Sequence, residues 1–188
     1  MQARTSQTET AVLGALSVEP MTGYALRQAI RNVLGHFWSE SFGQIYPTLA
    51  TLERQGHVSR RGSTRPGRSS FEITDSGLVR LRELLGQPIQ ATPPRNGLML
   101  RLFFGRQLGM ESCTSLVVES RAAAVEQLAA YERIIQELEG DPGNAHDRPY
   151  WLLTVAAGVH SARATIDWAD EALAALGDLQ GDHETEAP

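Results

Sequence analysis

Hydrophobic positions in residues 1–86 recur with two different periods, and their order reads helix, helix, helix, hairpin, helix. Thr8 to Val18 carries Val12 and Leu16 at helical spacing and ends at Glu19-Pro20, because the residue before a proline is steered out of helical geometry. Thr22 is placed to cap a second helix, whose apolar positions Leu26, Ala29, Ile30 and Val33 run up to Gly35. The stretch SFGQIYPTLATLERQGHV, Ser41 to Val58, starts with Ser41 and Gln44 at capping-box spacing and continues with Phe42, Ile45, Leu49 and Leu52 as one apolar stripe. Pro47 is comfortable only in a first turn, so this third helix is expected to start nearer Gly43; Gly56 supplies its left-handed stop. His57 to Arg61 and Arg68 to Thr74 then read as short strands joined by GSTRPG, with Val58 on the side of Phe71 and Ile73. Thr74 caps a fourth helix with Leu78, Leu81 and Leu85 inward, closing at Gly86.

The second half is helical throughout. QPIQATPPRNG, residues 87–97, has the proline and polar content of a linker, and a short apolar helix is expected over Leu98 to Leu108. From Ser112 onward Val117, Ala124, Leu128, Tyr131, Ile135 and Leu138 recur at intervals of seven, four, three, four and three. DPGN, Asp141 to Asn144, breaks that pattern. A last helix repeats it with Val155, Val159, Ala162, Ile166, Ala169, Leu173 and Leu176. Two heptad seams joined by a turn predict an antiparallel helical pair that still has surface to bury. The chain is therefore read as mainly α, with a domain over 1–86, a linker over 87–97, a helical domain over 98–177 and a disordered acidic tail over 178–188.

Charge changes the picture only when it is divided along the chain. The net charge of -5 conceals a first part, residues 1–86, at +3 and a second part, residues 87–188, at -8. Every basic residue other than histidine is arginine. No run approaches the roughly 18 apolar residues of a membrane span, and MQARTSQTET has no apolar signal core, so a cytoplasmic chain without a membrane partner is expected. The single cysteine, Cys113, reads as a buried inert thiol. The five histidines are scattered, and neither a metal signature nor a carboxylate pair, nucleophile elbow or phosphate loop appears; no catalytic residue, metal or cofactor is expected.

Three helices, a hairpin and a further helix are the layout of a winged helix-turn-helix, in which the third helix enters the DNA major groove and the hairpin reaches the adjacent backbone or minor groove. The polar face of the third helix suits that task. Gln44, Thr48, Thr51, Arg54 and Gln55 are side chains that hydrogen-bond to base edges and phosphates, and Glu53 is the helix's single acid. Ser41 and Tyr46, at its start, join the same candidate surface. Arg60, Arg61, Arg65 and Arg68 place four cations on the hairpin, where each phosphate neutralised releases counterions and Arg65 at the tip suits a narrow minor groove. The alternative for these arginines is a solvated hairpin that resists edge pairing. Tyr24 is expected in the domain core with its hydroxyl at the edge.

LGALSVEPMTGYALRQAI, FWSESFGQIYPTLATLERQGHV and ITDSG together resemble the PadR family of bacterial transcriptional regulators. The resemblance covers residues 10–86 closely, through the Pro-x-x-Gly-Tyr turn, the Tyr-Pro-x-Leu helix and the Thr-x-x-Gly helix start. LMLRLFF and WLLTVAAGVHSARATIDWADEAL are similar to the helical domain of the larger subfamily, which includes the phenolic acid regulator and a virulence activator. Where such regulators carry basic residues and a Tyr before the second wing strand, this chain has Ser69, Ser70, Phe71 and Glu72.

The resemblance implies a homodimer on an inverted-repeat operator in double-stranded DNA, acting as a repressor by the family's habit. Its interface would draw on Leu98, Leu102, Leu128, Tyr131, Ile135, Val159, Ile166 and Leu173. It also implies a small-molecule effector, planar or aromatic, in a pocket of His36, Phe37, Trp38, Trp151 and Trp168, although aromatics serve as core or interface more often. Two other readings stand beside it: a winged-helix protein-interaction module or scaffold without sequence-specific DNA binding, and a ligand-binding or enzymatic helical domain with a vestigial winged helix.

Overall fold

The computed structural model describes residues 2–35, 37–38, 42–62, 69–89 and 95–185, and within these the side chains of 2–6, 32–33, 42 and 180–185 are not described. The chain divides into two compact units, residues 1–92 and 93–188. In the first, α1 (Gln2–Val18) begins six residues before the expected start, since extending a formed helix adds a hydrogen bond per residue without a new nucleus. A two-residue strand, β1 (Met21–Thr22), leads into α2 (Gly23–Ala29), which continues as a π-helical turn over Ile30–Leu34. Thr22 caps α2 as expected, its Oγ1 accepting the Ala25 N–H at 3.1 Å. Then come α3 (Phe42–Arg54), β2 (Val58–Arg61), β3 (Ser70–Ile73) and α4 (Asp75–Leu85).

The sheet has the order β1-β3-β2 and is antiparallel throughout. β2 and β3 pair with Val58 opposite Ile73 and Arg60 opposite Phe71, so Val58 and Phe71 fall on the core side as the alternation predicted. β1 was not foreseen. Two residues carry no period, and the strand exists because Met21 and Thr22 find the free edge of β3 at Phe71 and Ser70.

One core joins these elements. Val12, Leu13 and Leu16 of α1, Leu26 and Ile30 of α2 and its continuation, Ile45, Leu49 and Leu52 of α3, Val58, Phe71, and Leu81 and Leu84 of α4 are all buried. The inward face of α4 differs from the expected one: Leu84 is buried and Leu85 is 66% exposed. Gly77, Leu81 and Leu84 form the four-three stripe, because Gly77 lets α4 approach the backbone at His57. A Glu9–Arg80 ion pair, with both contacts at 3.1 Å, fastens α1 to α4.

The second unit holds α5 (Gly97–Phe103), α6 (Gly105–Leu108), α7 (Met110–Gly140) and α8 (Arg148–Thr185). Asn96 starts α5, its Oδ1 accepting from the N–H groups of Leu98 and Met99. The expected single helix over 98–108 is interrupted at Phe104, and Gly109 turns the chain into α7 at a φ of 90°. α7 and α8 lie against each other, and the matches Arg121 with Asp170 and Tyr131 with Gly158 run in opposite senses along the chain, as an antiparallel pair requires. α8 continues to Thr185, beyond the start of the tail expected to lack structure at 178; no proline interrupts it, and propagation from a long helix is cheap.

Candidate nucleic-acid interface

The stripe Ile45, Leu49 and Leu52 is 0%, 2% and 1% exposed, so α3 is anchored by three side chains whose burial is worth about 1.5–3 kcal/mol each. That anchoring fixes which face remains outside. Gln44, Tyr46, Arg54 and Gln55 are exposed, and Thr48 and Thr51 are half-buried at the edges. The Thr51 Oγ1 accepts from Arg54 Nη2 at 3.2 Å, which orients the guanidinium along the exposed side. Pro47 sits inside the helix, one turn further in than is comfortable, and is itself exposed. Ser41 and its capping box lie outside the described residues.

The end of α3 is built as the glycine predicted. Gly56 takes a φ of 78°, its N–H reaches the Glu53 carbonyl at 3.1 Å, and the His57 N–H reaches the Leu52 carbonyl at 2.9 Å, the paired bonds of a Schellman stop. The start of α4 closes on this joint. Thr74 Oγ1 donates to the Gly56 carbonyl at 2.7 Å and accepts the Gly77 N–H at 3.1 Å, and Ser76 Oγ adds a 2.9 Å bond to the same carbonyl. The passage from helix to wing is therefore held from behind by α4.

The wing arginines differ from a free cationic strip. Arg60 is bound by Glu53 of α3 through two bonds of 2.9 Å, and Arg61 by Glu72 of β3. The Arg60 hydrogen bond holds the Glu53 carboxyl below its ordinary value, and Glu53 raises that of Arg60 in return. Arg65 and Arg68 lie outside the described residues. Sequence spacing could not have paired Arg60 with Glu53, seven positions apart and on different elements.

Tyr24 corrects an expectation: it is 65% exposed rather than in the core, and its hydroxyl accepts from Gln28 Nε2 at 2.9 Å. The reason is local. The buried position of α2 is Leu26, and a residue two places away on a helix points to the far side. Tyr46 is 48% exposed and lies over Gly23, where a Cβ would stand 2.9 Å from its Cε1. Tyr24, Gln28 and Tyr46 thus extend the polar outer surface of α2 and α3.

The aromatic residues expected in an effector pocket belong to different units. Phe37 is 58% exposed and Trp38 packs on the core of the first unit, whereas Trp151 and Trp168 are half-buried on α8. His36 lies outside the described residues.

Among the seam residues expected at a dimer interface, Tyr131 and Val159 are buried within the α7–α8 pair of one chain, together with Val155 and Ala162, and Leu128 and Ile135 pack partly against them. The two helices are joined by a short turn, so each seam meets its neighbour in the same chain first. Leu98, Leu102, Ile166 and Leu173 are half-buried. The apolar surface that does remain open lies elsewhere on the unit, with Leu100 62%, Phe103 83%, Tyr150 69% and Leu153 69% exposed. Among the described residues no helix is long and apolar enough to cross a membrane.

Three helices, the third anchored on one side and polar on the other, followed by a two-stranded wing and a fourth helix, define a winged helix-turn-helix protein. Comparison with known sequences makes this specific. Residues 12–83 match the transcriptional regulator PadR-like family and residues 94–177 match the virulence activator alpha C-terminal domain. The first unit therefore carries a PadR-like transcriptional regulator domain, and the second is similar to the helical C-terminal domain of virulence activators. The chain is 27% identical over 182 residues to a probable transcriptional regulator of Mycobacterium tuberculosis, covering 88% of this chain and 95% of that one. To the negative transcriptional regulator PadR of Bacillus subtilis it is 27% identical over 175 residues, with the same coverage. Its fold is that of a PadR-like regulator from Bacillus cereus, with a TM-score of 0.76 at 21% identity over 91% of this chain and 98% of that one. The Bacillus subtilis PadR structure with operator DNA gives 0.73 at 24% identity over 89% and 98%, and its structure with p-coumaric acid 0.70 at 24% over 90% and 98%.

Proposed function

We propose that this chain is a one-component repressor that binds an inverted-repeat operator as a homodimer in the cytoplasm and is released by a small planar effector. The observation that carries the reading is the outer face of α3: three buried anchors hold Gln44, Thr48, Thr51 and Arg54 outward on a helix whose single acid is occupied by Arg60. Tyr24 and Gln28 of α2 are added as phosphate-side contacts, since the helix before the recognition helix crosses the backbone. Release by a planar molecule is supported by the p-coumaric acid complex of the Bacillus subtilis protein, and repression by that protein's description as a negative regulator.

Dimerisation is assigned to the second unit. Since Tyr131 and Val159 are already buried in the chain, a partner would cover the exposed side chains of α5 and the start of α8, among them Phe103 and Leu153, along with the half-buried Leu98 and Leu102. Two recognition helices would then reach successive major grooves about 34 Å apart, and an effector would act by favouring a dimer with a different spacing.

The test is selection of bound sequences from random duplex DNA by the purified chain at two salt concentrations. An enriched inverted repeat with half-sites about one helical turn apart is expected, and Gln44→Ala or Thr48→Ala should change the preferred bases. Absence of enrichment, with binding to duplex that is indifferent to salt, would refute the reading in favour of a protein-interaction module.

A further inference from the structure

Resting on the DNA-binding reading, one contact on that surface has a role of its own. Arg60 Nε and Nη2 each donate to a different oxygen of Glu53, at 2.9 Å both, and the guanidinium carbon stands 5.0 Å from the centroid of the Phe71 ring. The fork is thus satisfied along one edge and the ring supports one face, a bidentate geometry that fixes the orientation of the guanidinium. Three elements meet there: Glu53 is in the last turn of α3, Arg60 is on β2, and Phe71, its cross-strand partner, is on β3. A phosphate approaching the Nε–Nη2 edge of Arg60 would have to displace a carboxylate that already holds those donors, and one approaching the remaining N–H groups would meet a guanidinium whose charge Glu53 already offsets.

We propose that Glu53 is a specificity-determining residue of the DNA-binding unit, holding Arg60 as a strut between the recognition helix and the wing and keeping that arginine out of phosphate contacts. Two consequences follow from the geometry. The wing keeps one angle to α3, so both can meet the duplex only in one register. One cation is also withdrawn from the sequence-independent attraction that would otherwise hold the chain on any DNA. Glu53 therefore positions through Arg60 and needs no contact with a base.

The full chain and its Arg60→Gln, Glu53→Gln and Glu53→Arg/Arg60→Glu variants are measured on the selected operator and on a random duplex of equal length across a salt series. Far-UV melting confirms that each variant is folded. The slope of log K against log salt changes by about 0.9 per phosphate contact. Arg60→Gln is expected to leave the random-duplex slope unchanged and to weaken operator binding about tenfold, the scale of one misaligned base contact. Glu53→Gln is expected to steepen the random-duplex slope by about 0.9 and to narrow the operator-to-random ratio by a similar factor, and the charge-swapped double variant to restore most of that ratio. A loss of about 0.9 in slope for Arg60→Gln would make Arg60 a phosphate contact and overturn the strut. A Glu53→Gln chain with the wild-type ratio would overturn it as well. A wild-type chain that binds neither duplex in a salt-dependent way would instead refute the DNA-binding reading itself, whatever the variants do.

Discussion

Gly77 and Gly14 invite the same substitution with opposite results. In an ordinary helix interior, glycine to alanine stabilises by about 0.8–1 kcal/mol through backbone entropy. Around Gly14 of α1 nothing lies within 4 Å of the new Cβ, so Gly14→Ala should show that gain. At Gly77 the Cβ would stand 2.1 Å from the His57 carbonyl oxygen and 2.8 Å from Ile73 Cγ1. The carbonyl is backbone, fixed by the Thr74 N–H at 3.1 Å, so α4 must retreat by about 1 Å to reach ordinary contact. That retreat stretches three bonds across the joint: Thr74 N–H to His57, Thr74 Oγ1 to Gly56 and Ser76 Oγ to Gly56. At about 0.5–1.5 kcal/mol each, their loss exceeds the helix gain, and Gly77→Ala should be destabilised by about 1–3 kcal/mol net. Each kcal/mol lowers Tm by about 4–8 °C in a unit of this size. Urea unfolding followed by far-UV circular dichroism measures both variants. If Gly77→Ala proved as stable as Gly14→Ala, the close packing of α4 on the joint between recognition helix and wing would be refuted.

The α7–α8 pair has a similar close approach. A Cβ at Gly158 would lie 2.4 Å from Tyr131 Cζ, and Tyr131 is 7% exposed, so the ring has little room to turn. Gly158→Ala should lose about 1–3 kcal/mol to overpacking, partly offset by about 1 kcal/mol of helix propensity, and melt at a lower temperature; an unchanged Tm would mean the ring can move aside. Acid should weaken the same unit. The Gly143 N–H and then the Asn144 side chain hold the Asp141 carboxyl below the ordinary range, and Arg121 does the same for Asp170. The folded chain then binds fewer protons than the unfolded one as pH falls, so this contribution is complete above the unfolded pKa of about 4 and is lost as pH drops through the depressed folded values. Tm should be flat from pH 7 to about 5 and decline below about 4, with a shallower decline for Asp141→Asn; equal declines in the two chains would exclude the turn as a cause.

Much of this molecule was settled by short-range features of the chain. The caps at Thr22 and Thr74, the left-handed stop at Gly56, the α3 stripe of Ile45, Leu49 and Leu52, and the facing of Val58 with Phe71 all depend on residues within a few positions or on one strand's alternation. A helix period, a hydroxyl before a helix and a glycine after it act through the adjacent backbone, so they can be read without knowing the fold. The tertiary structure decided what depends on a distant neighbour. β1 exists only because the β3 edge is there to pair with Met21 and Thr22. Leu84 rather than Leu85 faces inward because Gly77 admits the His57 carbonyl. The seam residues Tyr131 and Val159 close on their own chain, and Arg60 and Arg61 each meet a carboxylate before any phosphate arrives. Arg80 is held by Glu9, 71 positions away. A charge's partner and the room for a side chain are properties of folded space, and the pattern along the chain carries no record of them.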